Sequence, residues 1–247
     1  MTHKFDENAV AKYLNIPLEE RNKELEYNDI PVKYMTVKEI TVKEARAYIS
    51  YFHYAKTMPD STKHVFAGYF NERLAGIICY GMGCGMNQYT AIIPNIQKGQ
   101  YLELTRLWSP DGMPKNTESK LIGESMKLLP KEVKLLVSFS DSQQSHVGTI
   151  YQATNWYYLG MNNGGKMIAD SEGKKAHSRL LGMYKQRHPD TYGKMTNTEL
   201  MKELGYHYVE GGKKHRYAFL LGDKREKREL FKFIKDRILP YPKQIQP

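Results

Sequence analysis

Apolar and polar positions alternate along much of this chain in two distinct rhythms. Residues 41–52 (TVKEARAYISYF) place Ala45, Tyr48 and Phe52 at helical intervals, so the spacing predicts one amphipathic helix. Runs 65–70 (VFAGYF) and 74–81 (LAGIICYG) have strand character and are separated by Asn71-Glu72-Arg73, which predicts a hairpin. A third strand is expected at 101–108 (YLELTRLW), closed by the turn Ser109-Pro110-Asp111-Gly112. A helix follows over 116–129, with Asn116 as its N-cap and Glu118 in its first turn. The mostly apolar 133–140 (VKLLVSFS) reads as a strand covered on both faces. A short helix near 146–154, a strand WYYLG, a strand at 215–222 and a basic amphipathic helix beginning at Lys224 complete the set.

Two stretches break the rhythm. Residues 6–28 are charged, with apolar positions at helical intervals interrupted by Pro17, so 1–40 is expected to be a helical N-terminal segment ahead of one domain at 41–247. Residues 161–205 are glycine-rich, then basic, and read as an insertion carrying a short hairpin and one or two helices. The order predicts an α/β fold with a mixed central sheet and helices on both faces.

Composition narrows the partners. Lys and Arg number 37 against 27 Asp and Glu, a formal charge of +10, which favours a polyanion such as nucleic acid without selecting a fold. Cys79 and Cys84 lie in CYGMGCG without nearby partner ligands, so buried free thiols are expected rather than a disulfide or zinc pair. The N-terminus has no apolar leader and no run reaches membrane-span length, so a cytoplasmic protein with no membrane contact is expected.

Several strings, in consistent order from 53 to 221, resemble the Mom family of phage DNA-modification proteins. They are His53-Tyr54, ELTRLW (103–108), Pro114-Lys115-Asn116 with Glu118-Ser119, Ser140-Asp141, GTIYQATNW (148–156) and KHRY (214–217). Gly173-Lys174 with His177-Ser178-Arg179 adds a further match. The resemblance implies a sheet of Gcn5-related N-acetyltransferase type, splayed between two central strands so that exposed backbone can pair with a pantetheine arm. It also implies an acetamide-type (methylcarbamoyl) group installed on the exocyclic N6 of adenine, protecting phage DNA from restriction. Acetyl-CoA or another acyl-type donor is implied, acting on double-stranded DNA with a flipped adenine. The alternatives are an N-acetyltransferase for a protein or small-molecule amine, and a non-catalytic DNA-binding protein on the same scaffold.

Each matched residue has a chemistry and a plainer reading. His53 and Tyr54 close a helix, where an imidazole shuttles protons and a phenol acts as acid or orients a base, or both simply pack on the sheet. Asp141 follows a strand at its carboxyl end and could accept an amine proton or cap a helix, while Tyr151 could protonate a leaving thiolate or fill the core. Alternation puts Leu102, Leu104, Arg106 and Trp108 on one face, with Glu103 and Thr105 opposite. Arg106 there needs a phosphate, a substrate group or an internal carboxylate. Lys115, Asn116 and Ser119 open a helix whose free N–H groups suit a coenzyme pyrophosphate, although the Gln/Arg-x-x-Gly-x-Gly/Ala loop of acetyl-CoA-binding proteins is absent. His177, Arg179, Lys214, His215 and Arg216 form the expected DNA-binding set, with Tyr184 and Tyr192 available to stack on a base. An iron near His53, Tyr54 and Asp141 is the metal option, without a dense ligand motif.

Overall fold

The computed structural model describes residues 31–70, 73–83, 85–142, 147–162 and 165–243, and for Lys166, His177, Arg179 and Met183 the backbone alone. The helical lead-in expected at 6–28 and Cys84 lie outside the described residues. The chain divides into two compact units. Among the described residues, the first comprises those within 31–139, 148–160 and 216–241, and the second those within 140–142, 147, 161–215 and 242–243.

A seven-stranded sheet is built from β1 (Thr36–Glu39), β2 (Thr62–Phe70), β3 (Arg73–Gly81), β4 (Tyr101–Trp108), β5 (Leu135–Asp141), β6 (Tyr157–Met161) and, late in the chain, Lys214–Leu220. The strand order is β1-β2-β3-β4-β5, then Lys214–Leu220, then β6. Strands β1 to β4 pair antiparallel in sequence, and β4 with β5 is parallel, so the sheet is mixed as expected. Residues 32–39 correct the helical reading of 1–40. They form a 3-10 turn (Val32–Tyr34) and β1, because Val37 joins the core cluster and Met35 is buried in it.

Both sheet faces are covered within the first unit. Helix α1 (Val42–Phe52), started by the Thr41–Glu44 capping box, buries Ala45 and Ile49 against Val65, Ala67, Ile77 and Cys79. Beside this cluster on the same side, Ile92, Ile93 and Ile96, following α2 (Met86–Thr90), join Ile234 against Leu135 and Val137. The opposite face receives α3 (Thr117–Leu128), whose Leu121 and Ile122 meet Phe66, Ile78, Tyr80, Leu102 and Leu104. It also receives Tyr151 of the short α4 (Thr149–Ala153) and the fully buried Trp156.

The second unit holds the expected hairpin, β7 (Lys166–Ala169) with β8 (Lys175–His177), and three helices: α5 (Arg179–Arg187), α6 (Pro189–Tyr192) and α7 (Asn197–Glu203). It continues to His215 because β9 (His207–Glu210) pairs back on β7. Its core is Ile168, Leu181, Leu200 and Met201. The late strand of the main sheet is β10 (Lys214–Leu220), followed by α8 (Lys224–Phe231). Among the described residues no helix is long and apolar enough to cross a membrane.

Candidate active site

The site forms where β4 changes partner. Tyr101, Leu102 and Glu103 pair with Leu135, Leu136 and Val137 of β5, and the pairing stops there although both strands continue. From Glu103 to Trp108 the partner is β3. The two central strands therefore part beyond Glu103 and Val137, as an N-acetyltransferase-type splay requires. In the gap, the Ser138 hydroxyl lies 2.9 Å from the Leu104 carbonyl and 2.7 Å from the Tyr151 hydroxyl. A carbonyl only accepts, so it takes the serine proton and the phenol donates to the serine.

A β-bulge sets what faces this gap. Arg106 opposes Cys79 while Leu104 opposes Tyr80, which leaves Thr105 as the extra residue of β4. That corrects the single-face alternation expected for Leu102, Leu104, Arg106 and Trp108. The bulge shifts the phase by one, so Leu102 and Leu104 pack toward α3 whereas Trp108 joins the α1 cluster. The residues opposing Glu103 and Arg106, Gly81 and Cys79, are two apart on β3, so Glu103 and Arg106 share the α1 side. The Glu103 carboxylate lies over Gly83, close enough that a Cβ there would meet its carboxyl carbon at 2.5 Å.

The end of α1 supplies the remaining groups. Phe52 stacks on Trp108 with centroids 4.8 Å apart, which anchors the last turn over the second half of β4. His53 then leaves the helix in an extended conformation and is buried. The Ala55 N–H donates to its Nδ1 at 3.1 Å, so the neutral ring carries its proton on Nε2 and offers a donor. Burial, reinforced by the Arg106 and Lys56 charges, pushes His53 down to about 4. The imidazole is therefore neutral at physiological pH and holds no Nδ1 proton to shuttle. Tyr54, 65% exposed, stacks its ring on His53 with centroids 4.4 Å apart.

Arg106 donates from Nε to the Thr57 carbonyl at 2.8 Å, from Nη1 to the Thr105 carbonyl at 2.6 Å and from Nη2 to the Thr57 hydroxyl at 3.3 Å. Among the described residues it forms no ion pair, so the internal carboxylate salt bridge is not its partner. Burial lowers its pKa, and neighbouring Tyr54, Cys79 and Glu103 oppose that effect. Tyr151 is pushed up to about 12, chiefly by burial, with Ser138 opposing and Tyr54, Glu103 and Tyr217 adding to it. Tyr54 and Glu103 thus act electrostatically on both Arg106 and Tyr151. Cys79 is a buried thiol pushed up to about 12 by burial and is chemically quiet.

The gap is flanked by one neutral donor (His53 Nε2–H), one carboxylate and one cation, while the Tyr151 phenol is engaged with Ser138. Donors stabilise a developing oxyanion, and a carboxylate accepts an amine proton. Glu103 is the residue missed by sequence reasoning, which put it on the far face. A carboxylate three positions before an arginine in an apolar strand was the available signal, legible only with a bulge between them.

The other expected residues fall elsewhere. Lys115 and Asn116 are exposed at the start of α3, where Asn116 is left-handed (φ 71°) and its side chain makes no capping bond. Ser119 lies in the first turn of α3, which packs on the face opposite α1, so these three are not grouped with Arg106. Asp141 ends β5 and belongs to the second unit. Of the β10 trio only Lys214 is exposed. His215 is buried, and burial lowers its pKa. Arg216 is half-buried and donates to the Leu159 carbonyl at 3.4 Å. The side chains of His177 and Arg179 lie outside the described residues; their backbones end β8 and begin α5. Among the described residues no group of three or more His, Cys, Asp and Glu is placed to hold a metal.

Comparison with known proteins gives the chain its relatives. It is 26% identical over 215 residues to "Methylcarbamoylase mom" of Escherichia phage Mu, covering 85% of each chain. Among solved structures it is similar to the ribosomal-protein-S18-alanine N-acetyltransferase of Escherichia coli, at 11% identity and a TM-score of 0.39, over 76% of this chain and 95% of that one. It is also similar to an N-acetyltransferase of Staphylococcus aureus Mu50, at 13% identity and a TM-score of 0.41, over 75% and 97%. The model of the Mom protein family matches residues 34–243, and the chain belongs to that family.

Proposed function

We propose that this protein is a group transferase that places an acetamide-type (methylcarbamoyl) group on the exocyclic N6 of adenine in DNA. The observation that carries the reading is the family match over 34–243, because that span contains every group that flanks the β4–β5 gap. The methylcarbamoylase of phage Mu supplies the reaction type, and the +10 charge suits a polyanionic substrate.

In this reading Glu103 takes the proton of the adenine amine, and Asp141, at the end of β5 in the second unit, is kept as a separate candidate acceptor. His53 Nε2–H donates to the oxygen that gains charge, and Arg106 holds a phosphate of the target nucleotide. The donor is of acyl-CoA type. The unpaired edges of β4 and β5 beyond Glu103 and Val137 fit a pantetheine arm, and the first turn of α3, with Lys115, Asn116 and Ser119, fits its phosphates. Direct attack of the amine on an acetyl thioester yields N-acetyladenine, so an acetamide product requires an added step or a different donor. The adenine must leave the duplex stack to reach the gap, and the basic character of Lys214 and of the second unit suits contact with a DNA backbone. Modified DNA would then resist restriction enzymes.

Nucleoside mass spectrometry of DNA from cells expressing the protein is the test. Adenine carrying an acetamide group is expected with the wild type and at strongly reduced level with Arg106→Ala or Asp141→Ala. N-acetyladenine would instead indicate plain acyl transfer, and unmodified adenine would remove the reading altogether.

A further inference from the structure

We propose that the stacked His53–Tyr54 pair is a purine-stacking platform: the target base lies against the exposed side of the Tyr54 ring, and the Tyr54 hydroxyl takes no part in proton transfer. The identity of the base rests on the function proposed above; the platform rests on geometry.

Four observations meet here. Tyr54 leaves 65% of its surface exposed although the residue before it is buried. Its ring lies 29° from the His53 plane at 4.4 Å, so one side is backed by a second flat ring. That backing ring is fixed: the Ala55 N–H holds Nδ1, the His53 N–H donates to the Ile49 carbonyl, and Phe52 is anchored on Trp108. Finally, Tyr54 acts electrostatically on both Arg106 and Tyr151, two of the groups assigned to the proposed reaction. A neutral, rigid, half-exposed ring pair is suited to a base out of its stack, since every base has a π face and stacking asks for no hydrogen-bond match. Arg106, with no ion pair among the described residues and a charge that acts on His53, would hold the phosphate of the same nucleotide.

The platform separates from an acid–base role by substitution. Tyr54→Leu is expected to cut modified adenine in cellular DNA by about tenfold to a hundredfold, the value of one lost base–aromatic stack. Tyr54→Phe and Tyr54→Trp are expected to restore most of it. Quenching of 2-aminopurine deoxynucleoside monophosphate fluorescence should follow the same order, being present with the wild type, Phe and Trp proteins and lost with Leu. An unchanged thermal midpoint shows that the Leu variant is folded. Loss of product in Tyr54→Phe as deep as in Tyr54→Leu would put the hydroxyl in the chemistry and overturn the platform. Product and quenching that survive Tyr54→Leu would overturn it equally, while leaving the proposed function standing. Tyr54-dependent quenching without any modified adenine in DNA would support the platform and sink the proposed function.

Discussion

The two halves of β4 obey different rules. Its first three residues pair with β5, and Tyr101 and Leu102 are buried in the cores on the two sheet faces. From Leu104 onward the strand pairs with β3 alone, and from Thr105 to Trp108 every residue is half-buried. Glu103 is the hinge between the two, paired with Val137 on one side and Gly81 on the other. The difference marks the place where we propose the chemistry to occur. A strand that loses a neighbour leaves polar edges and room for a substrate, and a bulge at that point re-aims the next side chain.

The sharpest way to break this contrast is to truncate one residue in each half. Leu102→Ala should cost about 2–5 kcal/mol of stability, because a fully packed side chain leaves a cavity. Arg106→Ala removes three hydrogen bonds at a half-buried position and should cost about 1–3 kcal/mol, while depressing product far more than Leu102→Ala does. Denaturant midpoints and modified-adenine yields on the two variants provide the check. If Arg106→Ala proved the more destabilising and left product intact, the functional half of β4 would be structural after all.

A second effect of similar size comes from His53, which lies over the functional half. Its folded-state value is about 4 against an ordinary 6.5, so the unfolded chain binds the proton first as the pH falls. The contribution is full above pH 6.5, drains as the pH falls toward 4, and amounts to about 3 kcal/mol when complete. His53→Gln should remove that slope. Unfolding of both proteins between pH 7 and 4 would show their stability difference shrinking with acid. A constant difference would mean that the imidazole is not held neutral.

The third effect is smaller. Ser138→Ala leaves the Leu104 carbonyl and the Tyr151 hydroxyl without their shared partner, which should cost about 1–3 kcal/mol. A midpoint equal to that of the wild type would mean that water fills the gap without penalty.

The regular half of β4 was readable in the chain and the other half was not, for a physical reason. Period-2 alternation is a statement about strands without bulges, so it placed Leu102 and Leu104 correctly together and carried Arg106 and Trp108 along with them. The bulge at Thr105 depends on pairing with β3, which no local pattern encodes. The mixed sheet, the hairpin and the helices at α1 and α3 were legible because long runs with clear periods specified them. β1 was not, since four residues with one core contact carry little periodicity. Of the candidate site, His53, Tyr54, Glu103, Arg106 and Tyr151 all lie in matched strings, but only the structure puts Glu103 on the same side of the sheet as Arg106.

Glu103 also gives the finest test, through a neighbour that lies outside both strands. Gly83 belongs to the glycine-rich run after β3, and its missing side chain is the space that the Glu103 carboxylate fills. Gly83→Ala puts a methyl group on that carboxylate. The obstacle is the end of a rotatable side chain, and Gly83 has no left-handed φ to protect. The fold should therefore yield by no more than about 1 kcal/mol, partly offset by the entropy that alanine removes from the unfolded chain. The carboxylate, however, must swing away from its place on the α1 side. Product should fall in Gly83→Ala as it does in Glu103→Gln, and the double variant should lose little more than either alone, because both act through one carboxylate. Additive losses would instead place Gly83 in a separate role and leave the hinge of β4 without a working carboxylate.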